Sequence, residues 1–325
     1  MSKIPLSRLL VKELGVGKLF SENNGKRITS IDFDADGTHC ITASEDESLN
    51  LYDVLRGEQI KTIYSKKYGC DLARFTHTPN TVLYASTKED DAIRYVSLHD
   101  NQFIRYFKGH KARVTSLDVC PVDDRFISSS LDHTIRLWNL GSPTCQGCVY
   151  LQNTLQGPAI AAWDPAGVII AVGLSGARVL LLYDVANMQN GHFQKFHLQE
   201  VDQLRECEWT SVKFSPNGGY ILICTNGLKM YLVDAFQGRI LGFMTGFENK
   251  GKCKLEGGFT RDCKFIFCGS SDGKIHFWEV PGLEPVATLG SPHTEAIQSV
   301  AFSPQYLVMA SADNKLALWT PKSFD

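Results

Sequence analysis

The chain has 325 residues, 43% of them hydrophobic, and its 33 basic against 35 acidic side chains leave a formal charge of −2. That near-balance excludes a dominant electrostatic footprint for nucleic acid, and no run of uncharged apolar residues is long enough to cross a membrane as a helix. Ten cysteines lie scattered through a chain whose first residues, MSKIPLSRLLVKEL, are broken by Arg8 and carry no small-residue cleavage site; they read as reduced and mostly buried, in cytosol or nucleus.

In chain order, residues 1–15 read as an N-terminal extension and Val16–Phe20 as the first strand. A unit of four short strands follows: Ile28–Phe33, Cys40–Ser44, Leu49–Val54 and Gln59–Tyr64. Between its first two strands stands FDADG at 33–37, and the same kind of tight turn recurs as WDPAG at 163–167, FSPNG at 214–218 and FSPQ at 302–305. A second pattern, an Asp six residues before the close of an alternating strand, runs from Asp46 to Tyr52, Asp90 to Val96, Asp132 to Trp138, Asp272 to Trp278 and Asp313 to Trp319. Two more strands, ending near Tyr183 and Val233, keep the register without the Asp. The seven closing positions 52, 96, 138, 183, 233, 278 and 319 are separated by 44, 42, 45, 50, 45 and 41 residues. Steps of that size, with helix-period patterns almost absent, predict an all-β propeller of seven four-stranded blades. The last unit supplies only Ile297–Phe302, Leu307–Ser311 and Leu316–Thr320. Val16–Phe20 beside Leu316–Thr320 completes that blade and closes the ring, leaving one domain over 16–325.

One stretch, SLDHTIRLWN at 130–139, gathers an Asp, a His and a Trp, with Gly109-His110 upstream. These residues resemble the WD-repeat propellers. The resemblance implies that Asp132 accepts a hydrogen bond from His110, that His110 reaches Ser128, and that Ser128 bonds the indole of Trp138. Acceptor-only carboxylate, two-ended imidazole, hydroxyl and donor-only indole satisfy one another in such a chain when buried. The alternative is a hydrolytic triad of His110, Ser128 and Asp132. It needs an exposed nucleophile beside an oxyanion hole, whereas Ser128 falls inside a strand with no nucleophile-elbow glycines around it. The structural reading is preferred, and no catalytic residue is assigned. Other copies look degraded: Thr42 with Asp46, Ser86 with Asp90, Cys268 in the hydroxyl position of the sixth repeat, and Met309 in that of the seventh, which keeps Asp313, Trp319 and a nearby His293.

Cys145 and Cys148 have zinc-ligand spacing but form one pair only, half of a tetrahedral site. Gly15-Val16-Gly17-Lys18 lacks the first glycine and the final hydroxyl of a phosphate loop. Neither metal nor cofactor is assigned. What remains is surface. The residues just before the innermost strands align as Arg27, Asp71, Arg113, Gly157, Glu208, Cys253 and Ala296. With Trp209 they are expected to form a mixed-charge rim suited to a peptide or partner loop. Arg74 joins this set because other repeats carry Ser30, Ser116 and Ser211 near its register. The stretch 185–208 accounts for the oversized step and is a further candidate contact.

Several segments, among them SKKYG at 65–69, RFTHTPNTV at 74–82, RYVSLHDNQFIRYFKGH at 94–110, SPTCQG at 142–147 and ECEWTSVKFSPNG at 206–218, are similar to a particular WD-repeat subunit. That subunit is shared by COMPASS-type histone-lysine methyltransferases and by the cleavage and polyadenylation machinery with its phosphatase module. The resemblance implies a nuclear, non-catalytic scaffold with protein partners linked to RNA polymerase II, and neither direct nucleic-acid binding nor a membrane. A cullin-ligase substrate receptor is the rival binding reading, weakened because Trp138-Asn139-Leu140-Gly141 lacks the arginine its adaptor reads. A propeller enzyme is a third reading, without a placed acid–base pair.

Overall fold

The computed structural model describes residues 6–21, 25–151, 157–198, 207–290 and 292–322. Its strands form seven antiparallel sheets of four strands each. Blade one runs Ile28–Phe33, His39–Ser44, Ser48–Asp53 and Glu58–Tyr64 from the axis outward, and five more blades repeat that order along the chain. In the seventh, Leu14–Phe20 pairs with Leu316–Pro321, Val16 lying opposite Trp319 and Phe20 opposite Leu316. First and last strands of the chain thus share one sheet, and the ring is closed as the strand count required. Gly15 and Lys18 sit inside that strand, paired with Thr320 and Leu318.

The seven closing positions share one register. Tyr52, Trp138, Trp278 and Trp319 each pair with the second-strand residue that faces the last residue of the inner strand, as in Trp138–Phe126–Val119. Middle strands are buried on both faces, because each blade is covered by its two neighbours; Thr81–Ala85 and Phe265–Gly269 are buried throughout. The core is accordingly divided into clusters between adjacent blades, such as Leu83, Tyr95 and Phe107 of blade two against Val114, Phe126 and Trp138 of blade three. Each fully buried apolar side chain of this size contributes about 1.5–3 kcal/mol.

The described part of the N-terminal segment packs on blade six. A short helix, Arg8–Lys12, begins with Ser7 Oγ accepting from the Leu10 amide at 3.2 Å. Leu6 and Val11 enter the core between blades six and seven, the Leu6 amide donates to Asp262, and Arg8 pairs with Glu279 and Glu284. Within 185–208, Val185–Asn190 is a 3-10 turn and Gln194–His197 is the outer strand of blade four; residues 199–206 lie outside the described set.

Candidate functional site

The side chains of the SLDHTIRLWN repeat converge in blade three. Trp138 Nε1 donates to Ser128 Oγ at 2.9 Å. Ser128 Oγ lies 2.7 Å from His110 Nε2, and His110 Nδ1 lies 3.0 Å from Asp132 Oδ2. Since the indole can only donate, the serine hydroxyl passes its proton toward Nε2, and Nδ1–H donates to the carboxylate. Burial pushes the His110 pKa down, against the pull of Asp132, which keeps the ring neutral as this relay requires. Asp132 is also buried, yet Thr134, the Lys111 amide and His110 outweigh that and hold it at about 2. Ser128 is wholly buried, so no substrate reaches its hydroxyl in this arrangement. The relay ties the loop before blade three to its second and third strands.

The other copies differ from the sequence reading in one important way. Blade seven has a complete relay: Trp319 Nε1 donates to Ser311 Oγ at 2.8 Å, and His293 bridges Ser311 and Asp313 at 2.7 Å each. The hydroxyl is Ser311, not the position of Met309. Its turn is shorter, and Met309 instead pairs with Trp319 in the ladder. In blade six, where Cys268 replaces the hydroxyl, Trp278 Nε1 donates to the Thr245 carbonyl at 3.2 Å. Blade two holds something else. Arg94, 1% exposed, is gripped by Asp90 through two bonds of 2.8 and 3.0 Å, and also donates to Ser86.

Of the charged residues expected on the rim, four lie at the surface, and Gly157 is exposed as well. Arg113 reaches across from blade three to Asp71 of blade two at 3.0 Å, and Arg27 faces Glu45 at 4.0 Å. Glu208 is exposed, with its amide bonded to Asn226 Oδ1. Trp209 is a correction: it is 1% exposed and packs among Ile160, Leu180 and Tyr231 between blades four and five. Strand alternation turns it inward one residue after Glu208, over Gly173, where a Cβ would come within 2.9 Å of the indole.

Arg74 is the second correction. A bulge between Asp71 and Arg74, with Leu72 at φ 55°, shifts its register. Arg74 faces Leu83 as Asp32 faces Ile41, Asp118 faces Ile127 and Lys213 faces Leu222. Its equivalents are therefore charged residues of the central channel, not the serines.

That channel encloses a cavity of about 460 Å³ whose lining includes Asp32, Arg74, Asp118, Lys213, Lys254 and Glu256. Sequence reasoning missed all of these except Arg74. The available signal was a charge directly before the last apolar residue of the inner strand, as in IDF, ARF, LDV and VKF. Asp32 and Asp118 each accept the inner-strand amide of the next blade, from Phe75 at 2.8 Å and Trp163 at 2.9 Å. Ser30 and Ser116 do the same for Ala73 and Ala161. Burial raises the pKa of Asp32 to about 6 despite Arg74, and raises Asp118 as well. Burial also opposes charge on Glu256, but Lys254 at 3.2 Å, Lys213 at 3.7 Å and Arg74 outweigh it and bring the pKa to about 2. Acids and bases balance along this wall, so the channel stitches blades together and presents no net charge to a ligand.

Cys145 directs its thiol at the carbonyls of Leu137 and Gly147, while Cys148 pairs in the ladder with Arg136. Both cysteines lie in the outer strand of blade three, Ser142–Tyr150.

Comparison with known proteins bears on the whole chain. The family described as "WD domain, G-beta repeat" matches residues 16–53, 101–139, 253–279 and 283–320, and the second and fourth of these segments carry the tryptophans of the two complete relays. WD repeat-containing protein 82 of Drosophila melanogaster is 46% identical over 321 residues, covering 99% of this chain and 98% of the relative. Set1 complex component swd2 of Schizosaccharomyces pombe is 35% identical over 85% of this chain and 76% of its own length. COMPASS component SWD2 of Saccharomyces cerevisiae is 33% identical, with 88% of each chain covered.

Proposed function

The chain belongs to the WD-repeat family, and from that premise we propose that it is a non-catalytic scaffold subunit of a nuclear, transcription-coupled complex of the COMPASS type. The observation that carries this reading is extended likeness: one relative aligns with 99% of the chain, and two more, named as components of Set1 or COMPASS complexes, align with 85% and 88% of it. The site geometry supports it. The residues that looked chemical are sealed in relays between strands, and the channel charges neutralise one another. What faces solvent is a rim of paired charges, Arg27 with Glu45 and Arg113 with Asp71, suited to exchanging those partners for groups on another protein.

Affinity purification of the tagged chain from nuclear extract tests the proposal. Recovery of a SET-domain methyltransferase subunit, or of a phosphatase catalytic subunit from the RNA 3′-end machinery, is the expected result. Recovery of a cullin adaptor in their place overturns it. Reversing the rim charges with Arg27→Glu and Arg113→Glu is expected to release at least one partner while the melting temperature holds. If every partner is retained, the rim is not the docking surface.

A further inference from the structure

The outer strand of blade two, Phe103–Phe107, exposes three large apolar side chains, against two in blade one (Ile60, Tyr64) and two in blade seven (Val16, Leu19). Phe103 (41% exposed), Ile104 (45%) and Tyr106 (41%) stand within four residues of one another. By contrast the outer strands of blades four and six, Gln194–His197 and Pro285–Leu289, expose no Leu, Ile, Val, Met or aromatic side chain. Phe103 lies 5.3 Å from Tyr106 and meets Tyr68 edge-on at 6.5 Å. Four residues before Tyr68, Tyr64 is 54% exposed.

Two features make this more than scattered apolar surface. Arg94 lies under the cluster, 3.6 Å from the Tyr68 ring and 5.5 Å from Tyr106, and is itself clamped by Asp90. The aromatic groups therefore rest on a fixed cation and lose little freedom on binding. The second feature is charge. Lys66, Lys67 and Lys108 are exposed around the cluster, and no carboxylate among the described residues pairs with them. Elsewhere on the surface Lys88, Arg113, Lys250 and Lys274 each have an acid. Lysines without one, such as Lys111, Lys195 and Lys252, are far apart in the chain, so what marks the patch is three of them beside one aromatic cluster. Lys66 sits 5.3 Å over Tyr64 and Lys67 sits 5.2 Å over Tyr68.

We infer that this patch is a docking site for an extended acidic segment of a partner protein that carries aliphatic or aromatic anchors. The anchors cover Phe103, Ile104 and Tyr106, and carboxylates flanking them meet the three lysines. Phe103–Phe107 is also the edge of its sheet, so its outward amides and carbonyls are open to an added strand. A peptide fits better than a nucleic acid. Lys66 and Lys67 cap the tyrosine faces on which bases would stack, and three lysines make a short track for phosphates. The inference takes from the scaffold reading only that a protein meets this surface.

A random sixteen-residue peptide library displayed on phage, selected against the full chain, tests it. Selected sequences are expected to be rich in Asp and Glu around Leu, Ile or Phe. A synthetic fluorescein-labelled copy of the best one is expected to bind saturably by anisotropy, and to weaken about tenfold or more in K66E/K67E and in Phe103→Ser. These positions are exposed, so the melting temperature of both variants should match the unmodified chain. Selection of sequences without acidic enrichment, no selection at all, or equal binding by the variants overturns the inference. So does saturable binding of a labelled twelve-residue oligouridylate that K66E/K67E abolishes, which would make the patch a nucleic-acid surface. Co-purification of the methyltransferase or phosphatase subunits is read separately: if the unmodified chain recovers them but selects no acidic peptide, the scaffold stands and the patch is removed.

Discussion

Blades two and three meet one structural demand with different chemistry. In each, the second and third strands must be fastened to the loop that leads into the blade. Blade three does so with a relay from Trp138 through Ser128 and His110 to Asp132. Every polar group there is used inside the blade. Blade two has Tyr84 where the pairing pattern places Ser128, and Arg94 where it places Arg136. Tyr84 takes Ser65 as its partner at 2.9 Å, and the fastening falls to Arg94, which reaches Tyr68 of the leading loop and is neutralised by Asp90. The relay buries a single charge, the Asp132 carboxylate, which the Lys111 amide, Thr134 and His110 satisfy by hydrogen bonds. The fork buries a cation, which is tolerable only while its acid stays in place, and in return it orders aromatic rings whose far sides face solvent. The fold sets the positions to be joined; the wiring between them decides which blade has surface left for a partner.

The comparison breaks most visibly at the indole. Trp138→Ala removes a fully buried ring and the first donor of the relay, and is expected to cost about 3–5 kcal/mol. Trp319→Ala in blade seven should match it, because Ser311, His293 and Asp313 repeat the arrangement. Urea midpoints measure both; a loss confined to one blade would mean the two relays are not equivalent. Next comes Asp90→Ala, which strands the Arg94 guanidinium and is expected to cost about 3 kcal/mol. Adding Arg94→Met should recover most of that, since the unpaired cation is the cause, whereas no second change at His110 should rescue Asp132→Ala so fully. Asp132→Ala itself leaves the His110 ring and the Lys111 amide without their acceptor, about 1–3 kcal/mol. Partner binding per folded molecule should stay unchanged in Asp132→Ala.

Much of this was legible because a strand repeat has little freedom. The period near forty-four residues, the turn motifs and the three-strand last unit lead to seven blades and to closure by the strand at Val16, and a one-residue slip would turn every buried face outward. His110, Ser128, Asp132 and Trp138 were legible for the same reason: they stand at fixed steps within one unit. What escaped were positions where a step changes. Counting four residues back from Asp313 reaches Met309, but the shorter turn of blade seven puts the hydroxyl at Ser311. The bulge at Leu72 moved Arg74 from the rim to the channel. Trp209 was misjudged because its exposed neighbour Glu208 lies one residue and one strand face away. The charges of Asp32, Asp118, Lys213 and Glu256 make sense only across blades, where each meets a group some forty residues further along or on the far wall.

The smallest expected effect separates the two wirings by pH. Burial lowers the His110 pKa below its ordinary 6.5 in the folded chain, so from about that pH downward the unfolded chain holds more protons than the folded one. Stability carried by His110 is therefore complete above pH 6.5 and declines as the pH falls. Asp132, held at about 2 against an ordinary 3.8, adds a further loss only below 3.8. The pair that fastens blade two holds no histidine: burial opposes the Arg94 charge, but hydrogen bonds with Asp90 raise its pKa, and Arg94 in turn lowers that of Asp90. Two groups elsewhere act in the same range. His276, lowered by burial, follows His110, and Asp32, raised to about 6 by burial, works oppositely by taking its proton first in the folded chain. Both are unchanged by substitution in blades two or three, so differences between variants isolate the relay. The urea midpoint of Asp90→Ala should fall between pH 7 and 5 as steeply as that of the unmodified chain, only from a lower level. His110→Gln should fall less steeply than either. Equal slopes in all three would mean that folding leaves the proton affinity of His110 unchanged. A steeper fall in His110→Gln would mean that the ring is charged in the folded chain, making blade three a buried ion pair like blade two.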